Sequence, residues 1–490
     1  MEIQLMESSG EYMSKSSLKS NFFYQIFYQL VQMISPFITI PLISHALGPN
    51  NVGKYGYIQS IVTYFVFLAG LGMRLYGQRE IARVRNDRIK LVKKFSELFS
   101  LQVISSTIAV FGYVLLAFII GGGNLFYYLI LVFMIFSIFI DTSWFFMGME
   151  RFKITSLINI IVMGIVVALV ILFIRHSTDL LLYFMIMSFA SFAPSLFLIP
   201  FIMRGHYFKL PKFKNVISHF FPVVQYFFPI ITVVFYATMN KTMLGIFSTN
   251  SAVAYFTNAM SIMSIPVAIT AAIDTILLSR LSNLLTEGKK NDFFAILKKS
   301  LNIEFYLTSL MFFGIILIAE KFVPWFFGNS FGTIKYVLPA LALQAIVVPM
   351  GTSIARQYLI PIDNIRVYNK SVFAGAAVGL AIALIFVPLI GVWGAVIAIN
   401  CSEIFVTAVR TVSFIKETNF KYDVKAILKY FISGLVMFII TWFMTRDMSA
   451  SFVTTFTQII LGGGIYFVCT ILLKENPITK LKTLNIEKRD

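Results

Sequence analysis

Two cysteines in 490 residues leave no disulfide framework. Both, Cys401 and Cys469, fall within apolar stretches, where neither reads as a metal ligand. The four histidines, His45, His176, His206 and His219, show no metal-like spacing, so no metal site is expected. Charged side chains make up only 13% of the chain, too few to clothe a soluble domain of this length. Paired carboxylates for acid–base work are missing, and so are the large loops that a membrane glycosyl transferase carries. An enzyme is therefore not expected, nor a cofactor. The first twenty or so residues are polar and lack a basic stretch followed by an apolar core. No cleavable signal is expected, and the first apolar segment would itself direct insertion.

Apolar residues dominate instead: 58% of the chain is hydrophobic and the mean hydropathy is +0.83. About fourteen long apolar segments can be read, at roughly 22–44, 55–73, 96–120, 125–148, 153–174, 180–203, 217–247, 252–279, 301–319, 336–359, 366–388, 391–415, 426–445 and 452–473. Each approximates the ~20 apolar residues that span a bilayer as a helix. Nearly all Lys and Arg sit in the tails and in every second connection. Basic residues mark the cytoplasmic side, so the alternation places both termini inside and requires an even number of spans. The expectation is an all-α, multi-pass protein of the bacterial cytoplasmic (inner) membrane. A net charge of +18 could suggest nucleic acid. Here the charge lies in short connections beside the spans, where topology and anionic headgroups account for it, and no nucleic-acid partner is expected.

The chain also carries a loose internal repeat. Asn51-Val52-Gly53-Lys54-Tyr55 opens the second segment, and Asn250-Ser251-Ala252-Val253-Ala254-Tyr255 opens the eighth. A proline-bearing segment precedes each, with Pro36 and Pro41 in one and Pro222 and Pro229 in the other. A basic connection follows each, Arg79 to Lys94 and Arg280 to Lys299. Two parallel six-helix bundles, 1–210 and 211–420, are expected, with two added helices and a cytoplasmic tail at 421–490. Such paired bundles are a transporter architecture with the substrate between the halves, although loose self-similarity is common among polytopic proteins.

Gly48-Pro49-Asn50-Asn51-Val52-Gly53-Lys54 fits the spacing of a phosphate-binding loop. Tyr55 replaces the hydroxyl residue that would hold magnesium, and the topology puts the stretch on the outer face, away from ATP, so that reading is rejected. Ionisable groups in or near the apolar segments carry more information, because they are costly there. Lys241 lies about six residues before the outer end of the seventh segment, ~9 Å deep at the helical rise. It either faces a central cavity or snorkels to the headgroups. Asp141, followed by Trp144, could pair with a cation or reach the interface. Asp274 is expected to form a local salt bridge with Arg280. Snorkelling explains Arg356 as well as substrate contact does, and topology explains Arg74. Glu403 has no basic residue one turn away and needs a partner on another helix or a place in the lumen.

Several of these residues fall in stretches that resemble a known family. Asn21-Phe22-Phe23-Tyr24, Pro36, Pro41, Leu47-Gly48-Pro49 and Gly53-Lys54-Tyr55-Gly56 resemble the opening of bacterial oligosaccharide repeat-unit flippases. These are Wzx-like members of the multidrug/oligosaccharidyl-lipid/polysaccharide exporter superfamily, which includes the MATE transporters. Asp141-Thr142-Ser143-Trp144-Phe145-Phe146-Met147-Gly148-Met149-Glu150-Arg151-Phe152-Lys153 resembles the family's D-x-S-W-F-F-x-G-x-E-x-F-K stretch. Lys241-Thr242-Met243-Leu244-Gly245 resembles its D-K-x-M-L-G element, with Asn240 where the family often has Asp, which weakens an ion-coupling role there. Ser279-Arg280-Leu281-Ser282-Asn283, Gly288-Lys289-Lys290, Leu359-Ile360-Pro361 and Gly391-Val392-Trp393-Gly394-Ala395 continue the likeness over nearly the whole chain.

The resemblance implies a flippase. It would carry an undecaprenyl-pyrophosphate-linked oligosaccharide, a precursor of capsule, O-antigen or teichoic acid, to the outer leaflet by alternating access. Lys241, Arg356 and Arg74 become candidates for the pyrophosphate, and Asp141, Trp144, Glu403, Asp274 and Asn240 for the cavity or for coupling. A polymerase or ligase of the same pathway is an expected partner. Two other readings stay open: an ion-coupled multidrug exporter, and a non-transporting scaffold of a polysaccharide-synthesis complex.

Overall fold

The computed structural model describes residues 18–477. The tails before and after lie outside the described residues, as do the side chains of Asn21, Phe22 and Pro229. In chain order the helices are α1 (Leu18–Gly70), α2 (Met73–Val84), α3 (Arg88–Ile120), α4 (Leu125–Phe139), α5 (Ser143–Gly148), α6 (Phe152–Phe173), α7 (Leu180–Arg204), α8 (Phe213–Ile217) and α9 (Phe220–Phe247). They continue as α10 (Asn250–Thr286), α11 (Lys290–Phe326), α12 (Ile334–Leu341), α13 (Gln344–Ile354), α14 (Ile365–Ile390), α15 (Val392–Thr418), α16 (Val424–Thr445) and α17 (Phe452–Leu472). No strand occurs among the described residues.

Twelve helical stretches among the described residues are long and apolar enough to cross a membrane. The first of them, Phe23–Val84, contains two of the segments read from sequence, and α1 is broken inside it at Gly48 (φ 73°, ψ 170°). The 217–247 segment forms α9 but is not one of the twelve. The span expected at 336–359 is among the twelve, as Ile334–Leu359, but it is not one regular helix: it consists of α12, α13 and a wide turn over Ala355–Leu359. In that turn, amide-to-carbonyl bonds reach five residues back, from Ile360 to Ala355 and from Asn364 to Leu359. Two connections expected to be loops are also largely helical. Met73–Val84 forms α2, and α10 and α11 approach one another across Glu287–Lys289.

Helix starts follow local chemistry. The Asp87 carboxylate accepts the Ile89 and Lys90 amides at the head of α3, and Thr249, Asp423 and Ser451 cap α10, α16 and α17 in the same manner. Gly391 (φ 56°, ψ −124°) joins α14 to α15 in a backbone region that only glycine enters without strain.

The chain divides into two compact units, 1–238 and 239–490. In the first, one core gathers Ile58, Val62, Leu131, Ile135 and Phe184, and a second gathers Phe95, Trp144, Phe145, Phe146 and Tyr207. In the second unit, α16 and α17 pack on α11 through Tyr306, Tyr430 and Tyr466. Outside these cores, large apolar side chains such as Phe111, Ile119, Leu172 and Leu472 are exposed, the reverse of a soluble surface and suited to lipid.

Candidate functional site

The D-x-S-W-F-F-x-G stretch, the most specific motif of the sequence, is an elbow between α4 and α6. Asp141 turns the chain: its carboxylate oxygens accept the Ser143 amide at 2.8 Å and the Ser143 hydroxyl at 3.0 Å. Trp144, Phe145 and Phe146 on α5 are fully buried. The Trp144 indole donates to Gln102 Oε1 at 2.8 Å and stacks on Phe95 at 5.6 Å between centroids. Gly148 lies so close to α2 that a Cβ would stand 2.7 Å from the Gln78 carbonyl and from Ile81. These residue types are the ones needed to dock α5 on α2 and α3. Trp144 therefore sits in a core, not against a cavity. Arg74, exposed at the head of α2, is near enough to act electrostatically on Asp141.

A polar cluster lies beside this elbow in the same unit. Tyr76 Oη and His219 Nδ1 are 2.8 Å apart, and His219 Nε2 lies 3.2 Å from Glu97 Oε2. Lys94 approaches the same imidazole nitrogen at 3.4 Å and Glu80 at 3.7 Å. The cluster ties α2, α3 and the turn between α8 and α9 together. At the head of α3, the Asp87 carboxyl is held below its ordinary value, chiefly by the Lys90 amide it accepts.

In the second unit, Lys241 is half-buried on α9 beside buried Asn240, whose Oδ1 has no hydrogen-bond partner among the described residues. Glu403 is half-buried on α15. Arg410, on the same helix, is a buried cation; its guanidinium donates to Ser371 Oγ at 2.9 Å and to the Gly351 carbonyl at 3.0 Å.

The expected Asp274–Arg280 bridge does not form. Asp274 is fully buried and accepts from Gln357 Nε2 at 2.7 Å, while the same nitrogen donates to Glu304 Oε1 at 2.6 Å. Two carboxylates from α10 and α11 thus meet at one amide, correcting the expectation that paired carboxylates are missing. Arg356, one residue before that amide, acts electrostatically on Asp274. Glu304 went unnoticed because it lies a few residues past Lys298 and Lys299, at what reads as a membrane boundary. A carboxylate inside an apolar segment is nonetheless a signal that the sequence contains.

Residues 18–279 match the model of the polysaccharide biosynthesis protein family. The chain belongs to that family. Relatives include a Haloferax volcanii protein named as a low-salt glycan biosynthesis flippase, 23% identical over 56% of this chain and 58% of its own length. Another, from Escherichia coli (strain K12), is named as an O-antigen transporter, at 20% identity over 81% of this chain and 96% of its own. The first of these matches thus spans little more than half of that relative. Among solved structures, a lipid II flippase MurJ in an inward closed conformation matches with a TM-score of 0.72 at 15% identity, over 92% of this chain and 99% of that one. An inward-facing multidrug resistance MATE family transporter matches with a TM-score of 0.62 at 15% identity, over 79% and 96%. At such identities the likeness shows the fold. This member of the polysaccharide biosynthesis family is a multi-pass membrane protein with the MurJ/MATE fold.

Proposed function

We propose that this family member moves an undecaprenyl-pyrophosphate-linked oligosaccharide repeat unit from the inner to the outer leaflet of the bacterial cytoplasmic membrane. The observation that carries the reading is the family match over 18–279. The fold shared with a lipid II flippase in an inward closed conformation and with an inward-facing transporter supports it. In this reading two six-helix halves, 1–210 and 211–420, rock about the substrate while its lipid tail stays in the bilayer, and both termini are cytoplasmic. Lys241 is the first candidate for the pyrophosphate, since a cation half-buried in an apolar helix suits an anionic headgroup and repels a cationic drug. Arg356 and Arg74 are further candidates. Asn240, Asp141, Asp274 and Glu403 are candidates for shaping the cavity or coupling it to an ion. A polymerase or ligase of the same pathway would receive the product.

The test is depletion of the protein in its host, followed by extraction of undecaprenyl-linked intermediates from each leaflet. Accumulation of one complete repeat unit on the cytoplasmic face is the expected result, and it would name the glycan. Unchanged intermediates with altered resistance to cationic drugs would replace this reading with a drug exporter.

A further inference from the structure

Between α10, α11 and the wide turn after α13, four polar side chains are sealed from solvent. Asp274, Gln357 and Ser353 are 0% exposed and Glu304 is 3% exposed. Gln357 Nε2 carries two hydrogens, and both are committed, one to Asp274 Oδ1 at 2.7 Å and one to Glu304 Oε1 at 2.6 Å. Turning the amide over would set its oxygen against at least one ionised carboxylate, so the amide nitrogen is assigned to face the pair. Ser300 Oγ adds a weaker donation to Glu304 Oε1 at 3.2 Å.

The acceptors left over outnumber the donors. Asp274 Oδ2, Glu304 Oε2 and Gln357 Oε1 are all buried without a hydrogen-bond partner. The Ser353 hydroxyl is close to both carboxylates yet meets neither in hydrogen-bonding geometry. Other groups near the pair are Arg356, which acts electrostatically on Asp274, and Tyr422 in the α15–α16 connection, which is close enough to Glu304 to feel its charge and whose hydroxyl is likewise without a hydrogen-bond partner. Two ionised carboxylates on one amide, with three buried acceptors unsatisfied, would be doubly costly: like charges repel at this range, and each orphaned oxygen keeps its desolvation penalty. One added proton cancels one of the two charges and pairs two of the three orphaned oxygens, so it lowers both costs.

We infer that Asp274 and Glu304 form a cation-binding site whose ligand is a single proton, held between the two carboxylates and bridged by Gln357. The proton turns one carboxylate oxygen into a donor for one of the orphaned acceptors and cancels one of the two negative charges. Because the amide that bridges the pair lies on the wide turn Ala355–Leu359, losing the proton loosens α10 and α11 from that turn. The site thereby couples protonation to helix packing in the second unit. Any role in moving substrate rests on the flippase reading; the proton site itself does not.

Infrared spectra of the purified full-length protein at pH 7, in choline chloride, test this directly. A protonated-carboxyl C=O band, shifted on exchange into D2O, is expected. It should vanish in Glu304→Gln, which places a neutral amide where the acid stood. It should also vanish in Asp274→Asn, because removing one charge lets the remaining carboxyl ionise. Both variants should elute as monodisperse protein. The wild-type titration needs no variant: the band should disappear with the release of one proton per chain as pH is raised. Absence of the band in wild type, or its survival in Asp274→Asn, overturns the shared proton. Loss of the band on replacing choline by sodium overturns it in favour of a sodium site. A confirmed band with no leaflet build-up on depletion would sink the flippase reading and leave the proton site standing.

Discussion

Replacing Gly77 by alanine would place a Cβ 2.6 Å from Trp144 Cε3 and 2.9 Å from Cδ2, closer than real carbon contacts come. The indole cannot simply swing away, since its N–H is held by Gln102 Oε1 and its ring stacks on Phe95. Overpacking of this kind costs about 1–3 kcal/mol. Opposing it, alanine is favoured over glycine within a helix by up to about 1 kcal/mol. The net change is therefore a loss of about 0–3 kcal/mol, too broad a range to test alone. Gly164→Ala supplies the reference, because a Cβ there meets nothing within 4 Å and only the propensity gain remains. The difference between the two variants isolates the packing term, and Gly77→Ala should be the less stable by about 1–3 kcal/mol.

Trp144→Phe completes the cycle. Alone it should destabilise, because Gln102 Oε1 loses its indole donor at a cost of about 1–3 kcal/mol. Combined with Gly77→Ala it removes the ring that the new methyl strikes, so the double variant should be more stable than the sum of the single effects by about 1 kcal/mol or more. Thermal unfolding in detergent, followed by near-ultraviolet circular dichroism, reads all four proteins. Equal stability of Gly77→Ala and Gly164→Ala, or additivity within about 0.5 kcal/mol, would refute the account of the elbow as a close-packed joint.

Three further outcomes follow from particular residues. Lys241→Arg should retain part of the translocation measured by leaflet extraction, and Lys241→Ala and Lys241→Glu should lose it at normal membrane abundance; equal activity in all three means the side chain only snorkels. Lys321 Nζ donates to the Arg446 and Met448 carbonyls at 2.7 and 2.8 Å, pinning the α16–α17 connection to α11. Lys321→Met should cost about 1 kcal/mol and speed amide exchange over 446–451, and unchanged exchange there would remove that role. Asp87 caps α3 with a carboxyl held below its ordinary value, so its contribution is present above the unfolded value and fades as pH falls through the lower folded one. Asp87→Ala should fray the first turn of α3 at pH 7, with Asp87→Asn close to wild type, and acidification below about pH 4 should fray the wild type in the same way, all read by amide exchange at Ile89 and Lys90.

Hydropathy and charge alternation by themselves determined that this is an all-helical, multi-pass membrane protein, because lipid admits few other solutions for twenty-residue apolar segments. They placed Lys241 inside an apolar helix and marked the 141–153 stretch as special. What they could not show is why that stretch is special. The tertiary structure makes it a joint: Asp141 turns the chain, Trp144 fills a core, and Gly148 lets two helices touch. The broken α12–α13 segment and the helical Met73–Val84 region were also invisible, because continuous apolar runs do not record a wide turn and basic residues do not distinguish a loop from an amphipathic helix. Above all, Asp274, Glu304 and Gln357 are separated along the chain by 30 and 53 residues and belong to three different elements. Their meeting depends on which faces of α10, α11 and the wide turn pack together, and that is settled by side-chain interlocking between helices that one-dimensional periodicity does not encode.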